Sequence, residues 1–275
     1  MPGLSINHYI TPDGYPLECF LDDCAKAGAS GVGLTERALG EMPLAQIKQE
    51  LESRRLAVSS VNSAGFFLWG DAEKAQRQEE INRSLIEAAN FLGASALTTI
   101  GGGLKDAGND PAANIRALRA KVLSRLPSLI HAASAKGVKL GVEPMHPSRI
   151  SNKGLLNTLH QTSEMLAKFD ELTVILDAFH AWWDPSLDNF ISEHTSRISC
   201  VQLTGVQLSD NPAMAPSRCA MREGCADMKE FVSMLRTSGY AGPFEFELFA
   251  HDLAGRNVSD VIRQAVDDYA YLSGD

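Results

Sequence analysis

Cysteine is scarce and unpaired in this chain of 275 residues. Cys19, Cys24, Cys200, Cys219 and Cys225 are odd in number and nowhere form a CxxC pair. That excludes a disulfide framework and a zinc knuckle, and it points to reduced thiols in a cytoplasmic protein. Positive charge is also short, with 25 Lys and Arg against 34 Asp and Glu and a formal net charge of −9. No cluster of Lys and Arg interrupts that balance, so neither nucleic acid nor an anionic membrane surface is expected as a partner. No apolar run approaches a membrane span, and the first residues lack the basic-then-apolar pattern of a secretory signal. What is plentiful is apolar residue, 44% of the chain, punctuated by 22 Gly and 12 Pro. That suffices for the core of one large α/β domain.

One pattern recurs along the chain: a helical stretch, a Gly-containing turn, a short β-rich run, then a polar loop. The runs are 4–7, 31–34, 56–61, 96–100, 138–143, 172–176, 198–203 and 243–248. Helices are expected over 16–27, 43–55, 71–92, 111–136 with a kink at Pro127, 155–168, a stretch starting at Asp184-Pro185 with Asp184 as its cap, 227–238 and 258–272. Residues 62–70 and 204–225, the latter with Pro212 and Pro216, read as loops. Eight runs alternating with eight helices predict a single-domain (β/α)8 TIM barrel. The runs are mostly continuously apolar, as strands covered by helices should be. A doubly wound open sheet is the alternative, but the turn after the first run has no GxGxxG.

In a barrel the C-terminal ends of the strands converge on one site. The fifth run ends at Glu143, where Pro144 stops the strand, and the sixth ends at Asp177. Glu247 stands near the end of the eighth, and Gln202 lies at the equivalent depth on the seventh. Three carboxylates gathered without a counter-ion repel and raise one another's pKa. A divalent cation relieves that, and an all-oxygen set suits Mn²⁺ or Mg²⁺ ahead of Zn²⁺ or Co²⁺. His180, three residues past Asp177, fits an acid/base or substrate-contact role. His146 and His8 follow the ends of the fifth and first strands. Phe66 and Trp182 lie on lip loops, where aromatics can wall a pocket.

Three motifs carry a resemblance: Gly141-Val142-Glu143-Pro144, the run from Ile175 through Asp177 and His180 to Pro185, and Gly242-Pro243-Phe244-Glu245-Phe246-Glu247. Together with the Gly101-Gly102-Gly103-Leu104 loop they resemble the sugar phosphate isomerase/epimerase superfamily, the xylose isomerase-like barrels, over nearly the whole chain. The resemblance implies metal-ligand roles for Glu143, Asp177 and Glu247, and an acid/base pair in Glu143 and Glu247. The strand-seven His of that family is replaced here by Gln202: the first reading keeps the metal with Gln202 as a ligand through its amide oxygen, the second keeps it on the three carboxylates and water, and the last is a metal-free site. Arg218, six residues before Gly224, matches an Arg that contacts substrate oxygens. Lys153 matches a basic position that could meet an anionic group on the substrate. The implied activity is proton transfer next to a carbonyl of a sugar or keto-polyol, ending in isomerisation or epimerisation. A metal-dependent lyase, dehydratase or hydrolase is the second reading. A non-catalytic carbohydrate-binding protein and an apurinic-site endonuclease stand behind it, the latter opposed by the charge. The residues do not set an oligomeric state; dimers are common among such relatives, so the resemblance allows a homodimer.

Overall fold

A computed structural model of the chain describes residues 3–108, 114–211 and 213–274. Eight parallel strands close on themselves: β1 (Leu4–Asn7), β2 (Gly31–Thr35), β3 (Ala57–Gly65), β4 (Ala96–Ile100), β5 (Leu140–Val142), β6 (Thr173–Asp177) and β7 (Ile198–Leu203) follow one another. Two short strands, β8 (Gly205–Gln207) and β9 (Ser217–Cys219), form a separate antiparallel hairpin, and β10 (Phe244–Phe246) closes the barrel between β7 and β1. The expected (β/α)8 barrel is therefore the observed fold.

The helices form where local chemistry says they should. The first, α1 (Leu17–Ala27), ends at Gly28 in the left-handed region, φ 82°. The next are α2 (Glu36–Leu39), α3 (Leu44–Arg54) and α4 (Ala72–Leu92). Asp71 caps α4 by accepting the Lys74 N–H at 2.9 Å, an interaction worth about 1 kcal/mol in such positions. Then come α5 (Ile115–Ser134), with Pro127 inside it, and α6 (Leu159–Leu166), capped by Thr158. After these stand α7 (Ala178–Ala181), α8 (Leu187–His194), α9 (Met228–Thr237), capped by Asp227, and α10 (Val258–Ser273). Among the described residues no helix is long and apolar enough to cross a membrane.

Four local expectations change. The third strand runs on through Gly65, because Ala64 and Gly65 pair with Thr99 and Ile100 of β4. Asp184 does not cap a helix as read: its Oδ2 accepts the Leu159 N–H at 2.8 Å, tying α6 to this turn, and α8 begins at Leu187. The stretch after β7 contains the β8–β9 hairpin, with Val206 opposite Arg218. The single-turn helix α7 directly after Asp177 was not expected. The predicted helix start at Pro111, and Pro212, lie outside the described residues.

The core fills the space between helices and sheet with Phe20, Leu34, Ile47, Phe179, Phe244 and their neighbours, all essentially inaccessible. The barrel axis is polar near its C-terminal end. Glu245 of β10, fully buried, accepts from Asn7 of β1 at 2.7 Å, Ser59 and Ser60 of β3 at 2.5 and 2.7 Å, and Gln202 of β7 at 3.0 Å. Only a side chain pointing into the barrel can reach three other strands in this way. Gly33 on β2 makes the room: a Cβ there would stand 2.5 Å from the Glu245 carboxylate.

Candidate active site at the barrel lip

Asp177 is the last residue of β6 and also opens α7, accepting the Phe179 N–H at 2.8 Å. That cap starts the turn, and the turn brings His180 back over Asp177 at the i,i+3 spacing. The His180 Nε2 lies 3.6 Å from Asp177 Oδ2 and 3.6 Å from Glu143 Oε1. Glu143 follows β5 directly, its N–H bonded to the Thr99 carbonyl at 3.1 Å. Glu143, Asp177 and His180 are buried and present ligand atoms within 4.8 Å of one another, a group that could hold a metal ion.

The tautomer of His180 limits its part in such a group. The backbone N–H of His146 donates to His180 Nδ1 at 3.0 Å. Nδ1 is then the acceptor and Nε2 carries the proton, so it faces the two carboxylates as a donor. Burial lowers the His180 pKa to about 3 despite the Asp177 charge, and the ring is neutral. Such a ring orients carboxylates, and it becomes a ligand only after losing its proton.

Arg218 supplies the positive charge. It reaches in from β9, and its Nη2 stands 2.5 Å from Asp177 Oδ2 and 2.7 Å from Glu247 Oε2. Its Nη1 also donates to the Glu247 carbonyl at 3.2 Å. The rings of Phe179 and Phe249 flank the guanidinium at 4.6 and 5.2 Å, close enough for cation–π attraction. Burial works against the Arg218 charge, but Asp177 and Glu247 outweigh it and raise its pKa. For Asp177, too, burial opposes ionisation, and Arg218 more than offsets it, so this carboxyl is held below its ordinary range. Glu143 goes the other way: burial, then the charges of Glu247 and Asp177, push it well above. Glu247 is raised to about 8, by burial first, with Arg218 opposing and Asp177 and Glu245 adding to the rise. The site therefore holds one firmly ionised carboxylate, Asp177, beside Glu247, raised to about 8, and Glu143, whose carboxyl is also raised.

Gln202 does not present its oxygen to Glu247. Its Nε2 donates to Glu245 Oε1 and to Glu247 Oε1, each at 3.0 Å. The two Oε1 atoms act as acceptors here, so the amide between them turns its nitrogen toward both. Its Oε1 is buried and has no hydrogen-bond partner among the described residues. Among the described residues the ligand atoms that converge are those of Glu143, Asp177 and His180, two carboxylates and an imidazole that fit a divalent cation; Gln202, expected as a ligand, instead positions Glu247 through its nitrogen.

The remaining expected residues divide. Glu143, Lys153, His180, Arg218 and Glu247 line one cavity of about 290 Å³. Phe66 backs Lys153, whose ammonium lies 5.9 Å from the ring centre. His146 shapes the site from behind through its N–H to His180, its ring packed edge-on against Trp183. His8 is a packing residue: its ring lies fully buried between Thr35 and Thr11, edge-on to Phe20, and burial lowers its pKa to about 3. Trp182 lies outside the cavity wall, and its buried indole N–H has no partner among the described residues. The cavity also takes in Tyr9, Asn62, Arg149, Phe249 and His251, which sequence reasoning did not single out as site residues. Glu245 was missed although its signal was present, since residues two apart on a strand share a face and Glu247 was already placed inward.

A parallel eight-stranded barrel with an acidic, arginine-bridged cluster at the C-terminal lip defines a class of small-molecule enzyme folds. Residues 21–271 match the family described as xylose isomerase-like TIM barrel, and the chain belongs to that family. Among solved structures it is similar to protein SMc04130 from Sinorhizobium meliloti 1021, with 26% identity over 98% of both chains and a TM-score of 0.87. An IolI protein with a bound zinc atom is 17% identical over 98% of this chain and 97% of its own, with a TM-score of 0.81. An L-ribulose 3-epimerase is 20% identical over 99% and 94%, with a TM-score of 0.75. No curated protein matches the chain significantly.

Proposed function

We propose that this chain is a divalent-metal-dependent isomerase or epimerase acting on a sugar, keto-polyol or related hydroxy-carbonyl compound by proton transfer at the carbon beside the carbonyl. The observation that carries the reading is the pairing of Glu143 with Glu247. Both line the same sugar-sized cavity, and burial raises both carboxyls, that of Glu247 to about 8. A general acid/base works best with its pKa near the operating pH. One of the pair takes the carbon-bound proton and the other returns one. His180 and Arg218 hold the acidic cluster in place: the His180 Nε2–H faces Asp177 and Glu143, and Arg218 bridges Asp177 and Glu247. The epimerase among the structural neighbours supports the same reaction class.

Glu143, Asp177 and Glu247 are the residues that would hold the metal, with Mn²⁺ or Mg²⁺ favoured by oxygen ligands and Zn²⁺ favoured by the zinc-bearing neighbour. When bound, such an ion supplies Lewis-acid polarisation of the carbonyl and its adjacent hydroxyl. Ion pairing of Arg218 with Asp177 and Glu247 means that the guanidinium and the ion draw on the same carboxylates. The test is interconversion of ketose epimers by the metal-supplemented protein. Glu143→Gln and Glu247→Gln should each abolish turnover while the circular dichroism spectrum stays native. Full activity in both variants would sink the proposal.

A further inference from the structure

The floor of the cavity is acidic, but its rim is not. Arg149 and Lys153 line the same cavity from the loop that follows β5. Both are partly buried. Arg149 lies over the Phe179 ring at 5.8 Å and Lys153 over the Phe66 ring at 5.9 Å. Among the described residues neither side chain has a hydrogen bond or an ion pair with the protein, although Asp252 stands near enough to feel the charge of Arg149, and Asp106, Glu143 and Glu247 that of Lys153. A partly desolvated guanidinium without a counter-ion is a cost that an arriving anion relieves.

The two cations are also held in place. The Lys153 N–H bonds to the Arg149 carbonyl at 2.9 Å, so one tight turn presents both side chains. The glycine loop clamps that turn: Gly102, Leu104 and Lys105 donate to the carbonyls of Lys153, Ile150 and Ser151 at 2.9, 3.0 and 2.9 Å. The loops meet so closely that a Cβ on Gly103 would stand 2.4 Å from the Asn152 nitrogen. A preorganised pair of cations needs little reordering to bind an anion. The cavity volume, about 290 Å³, matches the small end of ligand sites, roughly 300 Å³.

We propose that the substrate carries an anionic group, a carboxylate or a phosphoryl, which sits between Arg149 and Lys153 while its hydroxy-carbonyl unit faces the acidic floor. The chemistry is a sugar acid or a sugar phosphate, and a neutral ketose lacks half of the recognition. This rests on the isomerase reading, so binding and proton transfer are measured separately. Calorimetric titration of the metal-supplemented protein with D-fructose, 5-keto-D-gluconate and D-fructose 6-phosphate compares neutral, carboxylate and phosphoryl arms of equal carbon count. At least one anionic arm should bind tenfold or more tighter than fructose, and Arg149→Gln or Lys153→Gln should each remove about tenfold of that gap, the scale of a lost charge-assisted hydrogen bond. The tighter arm identifies the anion. The gap should narrow as ionic strength rises. Equal binding of all three, or a gap that survives the double variant, overturns the proposal. Those results would show that the two cations only offset the acids of the floor. Exchange of the carbon-bound proton into D₂O, read on the same samples by NMR, reports on the isomerase reading alone.

Discussion

One guanidinium nitrogen of Arg218 lies 2.5 Å from Asp177 and 2.7 Å from Glu247, joining the sixth strand of the barrel to the segment just past its last. The side chains of all three are at most 5% exposed. Removing one partner of a buried pair leaves an uncompensated charge and costs about 3–5 kcal/mol. Arg218→Met should therefore lower stability by about 3 kcal/mol, and by more at pH 8 than at pH 5, because the freed carboxylates can protonate at the lower pH. Added Mn²⁺ should restore part of the loss and raise the melting temperature more than in the parent protein. Differential scanning calorimetry with and without the ion reads both effects, and an identical Mn²⁺ response in the two proteins contradicts the shared-carboxylate account.

With metal removed by chelator, the pH dependence of stability follows from the same cluster. Glu247 titrates at about 8 in the folded chain against an ordinary 4.5. The native state thus holds more protons than the unfolded one across that interval. The stability this confers is complete below the ordinary value and is lost as pH rises toward 8, at up to about 1.4 kcal/mol per pH unit for one proton. Glu143, also raised, adds in the same direction. Asp177, depressed below 3.8, contributes the opposite limb: its stabilisation holds above that value and is lost as pH falls through the folded pKa. Urea melts from pH 5 to 8 should show a decline that is shallower in Glu247→Gln. A flat parent profile would contradict it.

His180 should remain neutral throughout that range, since burial lowers its pKa to about 3. Long-range ¹H–¹⁵N correlation should find its proton on Nε2 and a bare Nδ1 accepting from His146. The signals should not titrate between pH 5 and 8. A proton on Nδ1 after loading with a diamagnetic ion such as Mg²⁺ or Zn²⁺ would show the ring moving into coordination.

Gly103→Ala places a Cβ 2.4 Å from the backbone of Asn152. Neither loop can yield cheaply, because three backbone hydrogen bonds join them. The substitution should cost about 1–3 kcal/mol, the usual range for overpacking. It should also weaken binding of an anionic ketose more than that of a neutral one. Chemical denaturation and calorimetric titration check the two effects.

The barrel was legible because each of its eight strands is an apolar run closed by Gly, Pro or a polar end, and Glu143 and Asp177 lie where those runs stop. The hairpin was not: its strands are three residues long, too short for any periodicity, in a stretch rich in Pro and Ser. Arg218 could be matched to a substrate-contact position, but its bridge to Asp177 and Glu247 depends on that hairpin folding back over the lip. Asp184-Pro185 has the local chemistry of a helix start, and Asp184 Oδ1 does accept the Ser186 N–H, while its Oδ2 takes the Leu159 N–H and α8 begins only at Leu187. Gln202 could be placed at the right depth, yet which end of its amide faces Glu247 is decided by Glu245, an acid overlooked beside its neighbour two residues on. Arg149 and Lys153 are four residues apart in a loop, and only the clamp from the glycine loop shows that they share a cavity.

The central claim is that Glu143 and Glu247 move a proton at the carbon beside a substrate carbonyl. Its most direct measurement is ¹H NMR of a ketose or keto-acid incubated in D₂O with the metal-supplemented protein. The account predicts loss of the signal of that carbon-bound hydrogen with the parent chain, and its persistence with Glu143→Gln and with Glu247→Gln. Exchange at the parental rate in both variants would contradict it.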